Sequence, residues 1–194
     1  MRLALALLAL GSAALAGCSV ERPASATPAG TAAAPREPAS QLCASRRAGW
    51  VIEFPGSWHT NADGAAAACT FFHPDPFEVP ERPETLVVAI SVAREQAPFA
   101  VAVTDAYRRD VRAEDFELDG RRARRADYVA TGQAFVPAGM RVYEIVVDLG
   151  RDSLIATLRD VEGLDFERGR RILDRMVESL RLEAEPAGTT RRGS

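Results

Sequence analysis

The chain has 194 residues, of which 47% are hydrophobic and 26% charged, the balance of one soluble globular domain with tails. That composition excludes a collagen, a coiled coil and a polytopic membrane protein. Its 24 basic residues are all Arg, and 27 acidic residues bring the net charge to −3, so the broad basic field of a nucleic-acid-binding protein is missing.

Met1-Arg2 is a short positive start, and Leu3 to Leu15 is an apolar run of mainly Leu and Ala. The run is too short to span a bilayer, which takes about 20 residues, and it fits the apolar centre of a secretory signal. Leu15-Ala16-Gly17-Cys18 follows directly. It resembles the lipobox of bacterial lipoproteins, where the peptide is cut before the cysteine and the thiol receives a diacylglyceryl group. The alternative is an ordinary signal peptide cut after Ala16, which would leave Cys18 as an odd thiol in an exported chain. Lipidation removes that anomaly and leaves an even pair, Cys43 and Cys69. The expected organisation is a signal peptide over residues 1–17, a lipidated Cys18 with a disordered Pro- and Ala-rich tether over 18–40, a folded domain over 41–182, and a polar disordered tail over 183–194. The expected location is extracytoplasmic, in the outer leaflet of a single membrane. In a cell with two membranes, Ser19 in place of Asp after the cysteine favours the outer one.

Inside the domain, Trp50 to Phe54 reads as a strand closed by Pro55-Gly56, and Ala67 to Phe72 as a second, short one. Leu86, Val88, Ile90 and Val92 share a face at period two, which predicts a third strand. Pro98 is placed to begin a helix, with Phe99, Val103, Ala106, Tyr107 and Val111 at roughly helical spacing. Phe116 to Leu118 meets Arg121 to Tyr128 across Asp119-Gly120, a hairpin dipeptide. Met140 to Leu149 follows as a strand with Tyr143, Ile145, Val147 and Leu149 on one face and Glu144 and Asp148 on the other. Gly150-Arg151-Asp152 turns it into Ser153 to Leu158. A final helix over Asp165 to Leu180 carries the apolar stripe Phe166, Ile172, Leu173, Met176, Val177 and Leu180. Consecutive strands joined by tight turns argue for an antiparallel sheet flanked by helices, an α+β fold. In an oxidising compartment a Cys43–Cys69 disulfide is the expected state, with two buried thiols as the alternative. Such a loop closure stabilises by about 3–4 kcal/mol in the chain-entropy view.

The stretch Gly49-Trp50-Val51-Ile52-Glu53-Phe54-Pro55-Gly56-Ser57-Trp58 resembles the opening motif of PsbP-like domains, where an aromatic-rich strand ends at Pro and a Trp follows. The Gly-centred hairpin, two long strands and C-terminal amphipathic helix continue the resemblance in order. The family includes photosystem accessory proteins, a nuclear-transport regulator and many bacterial lipoproteins. Cys69-Thr70-Phe71-Phe72-His73-Pro74 and Arg141-Val142-Tyr143 look like a bacterial lipoprotein branch. The resemblance implies an antiparallel sheet between helices and a binding or assembly module in place of a catalyst, with no metal site carried over.

The residues themselves offer little catalytic chemistry. HExxH, GxSxG, the phosphate-binding loops and CxxC are all missing, and only His59 and His73 supply imidazoles. With Asp63, Asp75 and Glu78 they would make a small metal site; the plainer reading is two solvated or capping histidines. Ser57 and His59 share a face if extended, without a third group to orient the base. Arg121, Arg122, Arg124 and Arg125 form the densest basic cluster, with Arg122 and Arg124 on one strand face, set either to bind an anion or acidic partner or to pair with neighbouring acids. Trp58, Phe71, Phe72 and Phe77 near Pro-rich loops are core or, if exposed, a recognition surface. The expected binding surface is therefore Trp58, His59, Phe72, His73, Arg122 and Arg124, with no cofactor and no catalytic residue. The expected partners are the membrane, through Cys18, and a protein or envelope component. A small molecule or metal ion is the rival ligand, and a hydrolase with a dispersed site a more distant third.

Overall fold

The computed structural model describes residues 39–132 and 136–182. The lipobox with Cys18, the tether up to residue 38 and the tail from 183 lie outside them. Two antiparallel sheets make up most of the domain. The smaller orders β1 (Ser40–Ser45), β2 (Trp50–Pro55) and β10 (Arg181–Leu182) as β1-β2-β10. The larger contains β3 (His59–Thr60), β4 (Phe71–His73), β5 (Ile90–Glu95), β6 (Arg108–Leu118), β7 (Arg121–Ala130), β8 (Arg141–Asp148) and β9 (Ser153–Arg159). Its order is β3-β4-β5-β9-β8-β7-β6. Among the described residues two α-helices complete the α+β fold expected from the sequence: a single turn, α1 (Phe99–Ala102), and α2 (Phe166–Ser179). Among the described residues no helix is long and apolar enough to cross a membrane.

Period-two alternation sets the layers. Tyr143, Ile145 and Val147 of β8 share one face of the large sheet with Leu154, Ala156 and Leu158 of β9 and Ile90 and Val92 of β5. Ile172, Leu173, Met176 and Val177 of α2, and Trp50, Ile52 and Phe54 of β2, close over that face into one buried core. The helix begins where Asp165 caps it, its carboxylate accepting the Arg168 N–H at 2.6 Å. A disulfide between Cys43 of β1 and Cys69, with Cα atoms 5.9 Å apart, ties the small sheet to the loop before β4. Buried Asn61 organises that loop: its Oδ1 accepts from the Thr70 and Phe71 N–H groups, and its amide donates to the Ala62 and Ala67 carbonyls.

The helix expected from Pro98 to Val111 is a correction. Only Phe99–Ala102 is helical, and Arg108–Leu118 is an 11-residue strand paired with β7. Val101, Val103 and Thr104 are β-branched and disfavour a continuing helix, and the pairing supplies the hydrogen bonds a helix would have made. The hairpin is as expected, with Asp119 at φ 49° and Gly120 at φ 73°, the positive values a two-residue turn of this kind needs. The short strand expected over Ala67 to Phe72 is confined to Phe71–His73, and the one from Leu86 starts at Ile90.

Candidate functional site

The second face of the large sheet is built differently from the first. On β7, Ala126 and Ala130 are small, and opposite them lie Glu144 of β8 and Arg108 of β6. The two alanines leave depth that the long charged side chains fill. Arg108 crosses above β7 with its guanidinium 4.7 Å from the centre of the Tyr128 ring and donates to Glu144 Oε1. Tyr128 donates its hydroxyl to Glu144 Oε2 at 3.2 Å. Arg108 also donates to the Ala102 carbonyl at 3.2 Å, and Asp105 lies 3.8 Å from it. Burial pushes the Glu144 carboxyl above its ordinary value, with Arg108 and Tyr128 pulling the other way. The same burial, with the Glu144 charge beside it, pushes the Tyr128 hydroxyl up.

This network floors a recess of about 300 Å³ beside α1, with Val101 and Tyr107 at its lip and Thr157 and Arg159 on its far side. A wider recess of about 760 Å³ adjoins it over β5 and β9, and Thr157 and Arg159 line both. Its floor is Ser91, Ala93, Ile155 and Thr157, and the Arg94–Asp152 ion pair at 2.7 Å stands at its rim. Arg159 donates to the Ser91 hydroxyl at 2.9 Å. Burial pushes its guanidinium below the ordinary arginine value. Trp50 also borders the wide recess, and its indole N–H is buried with no acceptor among the described residues.

The residues expected to form a binding surface are not brought together. Trp58 and Phe72 are core side chains, 6% and 0% exposed, because Phe72 pairs with Ile90 on the helix-covered face. They cannot line a surface, which corrects that expectation. His59 and His73 are register partners on β3 and β4, at one end of the sheet. His73 accepts the Ala89 N–H on Nδ1 at 3.1 Å and has Asp75 4.0 Å from Nε2. Desolvation pushes its imidazole below the ordinary value, Asp75 opposing. Arg122 and Arg124 lie on β7, with β5, β9 and β8 between them and the histidines. Both approach Asp115, at 3.7 and 3.9 Å, and Arg122 also covers the Phe99 ring. Arg125 is held by Glu114 at 2.7 Å, so much of the Arg cluster pairs with cross-strand acids. Among the described residues no three His, Cys, Asp or Glu gather as metal ligands, and no hydrogen bond joins Ser57 to His59.

Arg108, Tyr128, Thr157 and Arg159 were not legible as site residues, and Glu144 read only as the outward side of its strand. The available signal was small: of the two acids in β8, Glu144 alone has apolar residues of its own face on either side, Val142 and Val146.

The chain is thus of the α+β class, antiparallel, with one sheet face packed and the other recessed. No protein-family model matches the chain, and no curated protein matches it. Fifteen chains of solved structure are similar to it. One is the solution structure of cyanobacterial PsbP (CyanoP) from Synechocystis sp. PCC 6803, with 13% identity over 74% of this chain and 92% of that one, at a TM-score of 0.43.

Proposed function

We infer that the chain is an exported, membrane-tethered binding module without catalytic chemistry, and that the recessed second face of its large sheet is where it binds. One observation carries the binding face: two adjoining recesses share Thr157 and Arg159 over a floor of convergent buried polar groups. That is the form of a ligand site. The same groups do not suit catalysis. Glu144 is held on both oxygens by Arg108 and Tyr128, and His73 spends one nitrogen on a backbone amide.

The tether rests on Leu15-Ala16-Gly17-Cys18 behind an apolar run. The Cys43–Cys69 disulfide supports it, because pairing those two leaves Cys18 as the one cysteine with no partner in the chain. Acyl chains at about 0.8 kcal/mol per buried methylene hold a protein stably once there are two of them. Between a protein or envelope component and a small molecule as ligand, the buried aromatics and the polar-floored recess favour the small molecule.

Native mass spectrometry of the chain released gently from its own membranes tests this reading. It predicts a mature mass beginning at Cys18 with acyl groups, and a non-covalent small-molecule adduct removed by Ala93→Trp, which intrudes on the wide recess, or by Ala102→Trp, which intrudes on the narrow one. An unlipidated mass overturns the tether. A co-purifying polypeptide in place of the adduct overturns the small-molecule ligand, and an adduct indifferent to both Ala93→Trp and Ala102→Trp overturns the binding face.

A further inference from the structure

The arginines bordering the two recesses are matched by acids, with one exception. Arg94 has Asp152, Arg108 has Glu144 and Asp105, and Arg47 has Asp63 at 3.7 Å. Arg159 has only the neutral hydroxyl of Ser91 among the described residues. A guanidinium carries five N–H donors in a rigid fork that matches a carboxylate on two of them, so most of this group's capacity is unused. Glu144 acts on Arg159 only at a distance: the contacts of its carboxylate go to Arg108 and Tyr128. Apolar surface lies across the recess. Four large hydrophobic side chains are exposed among the described residues, and two of them, Val101 at 57% and Tyr107 at 52%, stand at this lip. Val136 and Ala130 continue the apolar wall.

We propose that Arg159 anchors a small organic acid, its carboxylate bound by the guanidinium fork and its apolar body lying in the recess between Val101, Tyr107 and Val136. A recess of about 300 Å³ suits a short-chain acid. This assignment rests on the reading that the second sheet face is the binding face. Arg159 is the specificity element: an amide of the same shape offers one acceptor and no charge, so it forgoes the charge-assisted pair that the fork is built to make.

Calorimetric titration of the full chain with hexanoate and with hexanamide tests it. The expected result is one-to-one binding of hexanoate at least about tenfold tighter than hexanamide, a gap of about 1.4 kcal/mol. Arg159→Gln abolishes that gap, and Tyr107→Ala weakens both ligands equally. Arg159→Lys keeps the charge without the fork and falls between, and it carries the test if the glutamine variant does not fold. Equal binding of the two ligands, a gap that survives Arg159→Gln, or no hexanoate saturation at about 10 mM overturns the proposal. A small-molecule adduct lost in Ala93→Trp alongside a flat hexanoate titration would overturn the acid alone. An adduct indifferent to both recess variants, alongside a specific, Arg159-dependent hexanoate isotherm, would overturn the physiological reading alone.

Discussion

Arg108 and Glu144 sit on strands that are not neighbours, yet Arg108 spans the strand between them and closes an ion pair over the Tyr128 ring. Both side chains are nearly sealed, 9% and 8% exposed. Removing one partner of such a pair strands a buried charge and costs about 3–5 kcal/mol, whereas replacing both with apolar groups of similar size is often neutral or better. Denaturant unfolding of Arg108→Met, Glu144→Leu and the double variant therefore yields two strongly destabilised singles and a double more stable than either. A double equal to the sum of the singles would mean the two residues act independently.

Gly169 of α2 packs against Leu158 of β9. A Cβ there would stand 2.8 Å from Leu158 Cδ1 and 3.1 Å from Cδ2, and Leu158 is fully buried. Gly169→Ala gains up to about 1 kcal/mol of helix propensity. Overpacking in a core that cannot yield costs about 1–3 kcal/mol and wins. A lowered midpoint in urea checks it; a raised one would show that Leu158 has room to move.

The disulfide closes a loop of 26 residues' separation around β2 and the Asn61-organised turn. Cys43→Ser with Cys69→Ser lowers stability by about 3–4 kcal/mol, read as a fall in the thermal midpoint relative to the oxidised wild type. An unchanged midpoint would place the stability of that region in the Asn61 hydrogen bonds alone.

His73 links stability to pH. Burial holds its folded-state imidazole below the ordinary 6.5, against the pull of Asp75. Across the window between that folded value and 6.5 the unfolded chain binds more protons, so stability rises with pH and is lost as pH falls. Protonating Nδ1 also removes the acceptor for the buried Ala89 N–H. Urea unfolding from about pH 5 to 8 shows this slope in the wild type and a flatter one in His73→Gln. Equal slopes would assign the pH dependence to other groups.

Where the sequence was legible, one face was packed and the other was not. Trp50, Ile52 and Phe54 alternate with half-open positions, and α2 shows its stripe from Phe166 to Leu180, so both elements were readable. β6 was misread because it is an edge strand with most of its side chains in water, which erases alternation, while Phe99, Val103, Tyr107 and Val111 happen to fall at helical spacing. β1 was not expected at all: Ser40 read as the end of the tether, and the exposed positions that follow opened the domain without an alternation that marks a strand. The candidate site was hidden for a related reason. Glu144 and Arg159 alternate with core residues and so look outward-facing, and only the tertiary arrangement of α1, β6 and β7 buries them.

The recessed second face as the binding face is the central claim, and hydrogen exchange of the full chain tests it most directly. The chain purified from its own membranes is compared before and after exhaustive dialysis of any small-molecule adduct. Loss of protection confined to residues 90–95, 99–108 and 153–159 is the predicted result. Changes in α2, β1 and β2 instead, or none anywhere, would contradict it.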